Sequence, residues 1–139
     1  MKSLKQIPFY SLAVGMTSPL GIFNIKLITF FEDLQETFPE EKDIRTSLEA
    51  LRGAKKINPK LLLDIFYENV TRHLRDQILA EDEEKVIEFA RTSIQTQFNE
   101  VSVALMIFDK HWPTMSEHNK EAIWKYMKIL VLLSEKAKV

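Results

Sequence analysis

The chain has no cysteine among its 139 residues and only three glycines. The first absence excludes a disulfide framework, thiol catalysis and thiolate metal sites. The second leaves little material for a strand-and-turn fold or for a glycine-rich loop that cradles phosphate. Charge of one sign is missing too: 19 basic and 20 acidic side chains give a net charge of −1, so attraction to nucleic acid or to an anionic membrane is not expected from net charge. No run of about 18 apolar residues suggests a membrane span. Lys2 and Lys5 before Ile7–Gly15 faintly imitate a signal peptide, but Pro8, Tyr10 and Ser11 interrupt the apolar run and no small-x-small cleavage site follows.

What is present is apolar bulk in helical order. Nine phenylalanines, two tryptophans and three tyrosines can fill one core, and 139 residues fit one domain. Pro8, Gly15, Pro19 and Gly21 break any helix at the start, so residues 1–21 read as an irregular arm and 22–139 as a single helical domain. The arm's Phe9, Tyr10 and Leu12 are apolar enough to pack on a partner or on the domain itself.

The expected architecture is a compact all-α bundle of five or six helices. Phe23, Leu27, Phe30, Phe31 and Leu34 mark the first, which ends at Phe38-Pro39. The second opens on Glu40, Glu41 and Asp43, closes on Arg52, Lys55 and Lys56, and turns Ile44, Leu48 and Leu51 inward. Asn58 caps a third, with Pro59 at its first position and Leu62, Phe66, Val70, Leu74 and Ile78 at four-residue intervals. The acidic run Glu81–Glu84 starts a fourth, with Val86, Phe89, Ala90, Ile94 and Phe98 inward. A rephased stripe (Val101, Leu105, Phe108, Trp112) gives a fifth helix or a bend of the fourth. Ser116 or Thr114 caps the last, whose stripe runs Ile123, Tyr126, Met127, Leu130, Leu133. Short connections favour antiparallel neighbours.

Chemistry is harder to find. Asp109, His111, Glu117 and His118 have no metal-motif spacing, so the two histidines read as solvated turn residues and no metal or cofactor is expected. His73 reads as a helix-surface side chain. Glu81–Glu84 lacks the alternating ligands and glycine of a calcium loop and suits a helix N-terminus. Paired carboxylates here are sequence neighbours that point apart on a helix, and no nucleophile elbow occurs. Enzymatic activity is disfavoured; a pocket bringing His73 or His118 beside a carboxylate would restore it. Arg45, Arg52, Lys55, Lys56 and Lys60 could make a basic face for nucleic acid, but Glu40, Glu41, Asp43 and Glu49 offset them. Trp112 and Trp124 fit either an interface anchor or closure of the core.

Phe30-x-x-Asp33-Leu34-x-x-x-Phe38-Pro39, Asn58-Pro59, Phe66, Asp82-Glu83 and Trp112-x-x-x-Ser116-x-x-Asn119-Lys120-Glu121-x-Ile123-Trp124-Lys125-Tyr126 follow in order. In these the chain resembles a set of small uncharacterised helical proteins encoded by nucleocytoplasmic large DNA viruses of algae and protists. The likeness spans about residues 23–133 and is strongest in the last third. It implies a viral origin, an all-helical fold, and a place in the host cytoplasm or the virion; it brings no site residues. The expected role is a non-enzymatic one through contacts with a viral or host protein, with Phe9, Tyr10, Leu12, Trp112 and Trp124 as candidate contact residues. Self-association is compatible with it, and nucleic-acid binding through Arg45–Lys60 is the alternative.

Overall fold

The computed structural model describes residues 18–96 and 102–138, with backbone alone at 94–96. Helix α1 (Pro19–Thr37) starts three residues before the expected start of the helical domain at residue 22. Pro19 takes a first-turn position, where its missing N–H is no loss, and Ser18 Oγ accepts from the Gly21 N–H at 3.0 Å. The proline and glycine read as helix breakers are thus part of a helix start. Phe9, Tyr10 and Leu12 lie outside the described residues.

Phe38 ends α1 as expected, and α2 (Lys42–Ile57) follows with Asp43 in its first turn and Lys55 and Lys56 in its last. Helix α3 is continuous from Lys60–Phe66 through a π turn at Tyr67–Thr71 to Arg72–Leu79. Asn58 Oδ1 accepts from the Lys60 N–H at 3.0 Å, the cap read from the sequence. The π turn resolves a mismatch in the stripe. At 3.6 residues per turn, each four-residue step overshoots a full turn by about 40°. Leu62 to Ile78 would therefore spiral through about 160° on a pure α-helix. The wider turn absorbs much of that drift, and all five stripe residues are buried.

Helix α4 (Glu83–Thr96) and α5 (Ser102–Lys110) are separate helices; Phe98 and Val101 lie outside the described residues. Between α3 and α4 the chain closes a Schellman cap. Asp82 N–H reaches the Gln77 carbonyl at 2.8 Å and Glu81 N–H the Ile78 carbonyl at 3.0 Å. Glu81 holds the left-handed position at φ 54°, where glycine is usual. A short 3-10 turn at Trp112–Thr114 leads to α6 (Glu117–Lys138). Ser116 is the cap of α6, its Oγ accepting from the Asn119 N–H at 3.2 Å, while the Thr114 hydroxyl turns back to the His111 carbonyl.

Helix α6 is the central post, packed against α1 and against both halves of α3. Asp64 meets Lys138, Arg75 meets Glu135 and Glu81 meets Lys128, so α3 and α6 run antiparallel. Phe23, Phe31, Phe108 and Trp112 are among the largest fully buried side chains. Asn24 is buried among them and donates to the Pro59 carbonyl at 2.9 Å, fastening the α2–α3 turn to α1. Among the described residues no helix is long and apolar enough to cross a membrane.

Candidate functional site

The C-terminal half of α1 and the N-terminal half of α6 diverge to leave a groove of about 390 Å³, lined by Phe30, Asp33, Leu34 and Phe38 on one wall and by Asn119, Ala122, Ile123 and Tyr126 on the other. This volume lies in the range of small-ligand and side-chain pockets. Helical spacing builds each wall: Phe30, Leu34 and Phe38 are one turn apart on α1, and Asn119, Ile123 and Tyr126 recur at four and three on α6.

A polar contact ties the two walls. The Tyr126 hydroxyl donates to Asp33 Oδ2 at 2.6 Å, while its ring packs on Phe30 at 4.9 Å between centroids. Asp33 is thereby fixed, its carboxylate directed at the groove. Glu36 adds a second acid, and His118 stands exposed at the rim; no lysine or arginine lines the groove. The histidine and carboxylates that a sequence search could not bring together thus share one groove, 85 residues apart between Asp33 and His118.

Behind the Phe38 wall lies a second cluster. Glu41 is 8% exposed, and its Oε1 accepts from Lys110 Nζ at 2.6 Å and faces His111 Nε2 at 2.8 Å. The hydrogen bond from Lys110, then that from His111, holds the Glu41 carboxyl below its usual range, against the opposing effect of burial. The same bond raises the Lys110 ammonium. The His111 imidazole stacks on Phe38 at 4.5 Å. Its reading as a solvated turn histidine is therefore corrected: its side chain is 19% exposed and held on two sides. Glu40 approaches the same pair, and one donor atom from each of Glu40, Glu41 and His111 lies within 4.8 Å of the others. Glu41 read from the sequence only as a helix-start charge, because its partners are about 70 residues away.

The other sequence candidates fall elsewhere. Trp112 and Trp124 are 1% and 6% exposed, edge to face at 5.3 Å, and Trp112 donates its indole N–H to Glu83 at 2.5 Å. Of the two readings, contact residues give way to closure of the core: Phe108 packs on both rings, at 4.6 and 5.6 Å between centroids, and neither tryptophan lines the groove. His73 is an exposed helix residue stacked on Phe89. On the basic face, Arg52 is engaged by Glu32 across α1–α2 at 2.6 Å and Lys55 is half-buried, leaving Arg45, Lys56 and Lys60 exposed. No protein-family model, curated protein or solved structure matches the chain.

Proposed function

We propose that this chain is a non-enzymatic, virus-encoded interaction protein whose α1–α6 groove takes a short segment of a protein partner. The segment presents one bulky apolar side chain beside a lysine or arginine. The observation that carries this reading is the groove's make-up: a trough of about 390 Å³ whose apolar side chains stand beside Asp33 and Glu36, with no lysine or arginine in the lining. An apolar anchor fills the trough between Phe30, Leu34 and Ile123, and the carboxylates select the cation next to it. Binding is favoured over catalysis because Asp33 is committed to Tyr126 as a fixed charge, not presented to a histidine as a proton acceptor. The viral origin, and a role in the virion or at a host protein, rest on the sequence resemblance.

Fluorescence-labelled peptides carrying a central aromatic or leucine residue, flanked by lysine in one set and glutamate in another, test the groove directly. Lysine-flanked peptides bind, and Asp33→Asn, which keeps an acceptor for Tyr126, weakens them by about tenfold. Equal binding of both sets, or none, overturns the reading. Oligonucleotide binding that falls steeply with salt and is lost in Lys56→Ala/Lys60→Ala would install the basic face instead. Immunodetection in purified virions against infected-cell extract separates a packaged component from a host-directed one.

A further inference from the structure

Next to the groove, but taking no part in it, three donor side chains converge from two distant stretches of chain. We propose that Glu40, Glu41 and His111 form a binding site for a divalent transition-metal ion of the zinc class. One imidazole nitrogen with two carboxylates is a donor set that suits Zn²⁺, Co²⁺ or Mn²⁺; Mg²⁺ and Ca²⁺ prefer oxygen alone.

The geometry is close to what such an ion needs. Zinc sits about 2.0–2.2 Å from nitrogen and oxygen donors, which sets tetrahedral neighbours roughly 3.4 Å apart. His111 Nε2 and Glu41 Oε1 are 2.8 Å apart, and the most distant pair of donors is within 4.8 Å. Glu41 is held in place by its burial and the half-buried His111 by its stack on Phe38. Glu40 is exposed, so its side chain has the freedom to close the remaining gap.

Lys110 competes with such an ion for Glu41. Its ammonium sits 2.6 Å from the same Glu41 oxygen, on a flexible stem that is 58% exposed, and it withdraws to water when a doubly charged ion arrives. Coordination uses the Nε2 lone pair, so any proton on that nitrogen leaves and the ring's remaining N–H is on Nδ1. Three protein donors leave a fourth position for water or for an oxygen of a bound partner.

The full-length protein, freed of metal by chelation, is titrated with Zn²⁺ in a calorimeter and with Co²⁺ by visible absorption. One equivalent binds, and Co²⁺ gives the intense bands of a four-coordinate site. Loss of outer-sphere partners alone weakens metal sites by about 10–100-fold. Glu40→Gln, an exposed change that leaves the circular dichroism spectrum intact, therefore weakens binding by at least about tenfold. His111→Ala abolishes binding, Lys110→Met tightens it, and His118→Ala and His73→Ala leave it unchanged. The proposal is overturned if no equivalent binds below millimolar Zn²⁺. It is also overturned if Glu40→Gln binds as the parent does, or if binding follows His118 or His73.

Discussion

The hydroxyls of Thr71 and Ser134 meet at 2.6 Å where both residues are buried, and Ser134 donates onward to the Val131 carbonyl at 2.7 Å. With the Ser134 proton committed to that carbonyl, Thr71 is the donor to Ser134. The chain of bonds joins the π turn of α3 to α6 across 63 residues of sequence. Ser134→Ala leaves the Thr71 hydroxyl without this partner and costs about 1–3 kcal/mol. Thr71→Val costs less, about 0.5–1.5 kcal/mol, because Ser134 keeps its carbonyl. The double variant loses less than the sum, and urea unfolding of the four proteins measures that coupling.

Ser116, not Thr114, satisfies the first turn of α6. Ser116→Ala is expected to destabilise by about 1 kcal/mol. Thr114→Ala, whose hydroxyl faces the His111 carbonyl at 3.3 Å, is expected to stay within about 0.5 kcal/mol, as other surface changes do. Thermal midpoints of the two variants in one buffer decide between them.

Much of this fold is legible in the sequence because burial imposes a period. Phe23 to Leu34, Ile44 to Leu51 and Ile123 to Leu130 all face the core as their spacing indicates. The π turn left a trace as well: five apolar residues at strict four-residue spacing cannot share one face of a regular α-helix, so the stripe itself called for a wider turn. The site left no such trace. Asp33 with Tyr126, and Glu41 with Lys110 and His111, are brought together by helix packing across 69 to 93 residues. Packing of that kind follows from no local spacing.

Glu81 occupies a left-handed position that costs an ordinary residue about 1–2 kcal/mol relative to glycine. Its ion pair with Lys128 is surface-exposed and worth at most about 1 kcal/mol. Glu81→Gly is therefore expected to raise stability by about 0.5–1 kcal/mol. Lys128→Ala, measured beside it, isolates the ion pair. If Glu81→Gly destabilises by more than Lys128→Ala does, the backbone at Glu81 is not strained.

The depressed Glu41 carboxyl fixes the sign of a pH effect. A carboxylate whose folded pKa is lowered stabilises the protein fully above a glutamate's ordinary value, and that contribution fades as pH falls through the lowered one. Glu41→Gln is expected to be less stable than the parent at neutral pH, with the gap narrowing below about pH 4.3. Urea midpoints taken down the acid limb follow the convergence; a gap constant with pH would show that Glu41 contributes packing alone.

The π turn has one more consequence, for chain length. Removing a single residue between Phe66 and Val70 would convert the spacing of Leu62, Phe66, Val70, Leu74 and Ile78 from uniform fours to four, three, four, four, which is the stripe of a regular α-helix. Elsewhere in α3 a deletion rotates everything beyond it by about 100° and turns half the stripe to solvent. Tyr67–Thr71 is thus the slack in α3, the one interval of that helix where the chain can shorten without re-aiming its neighbours.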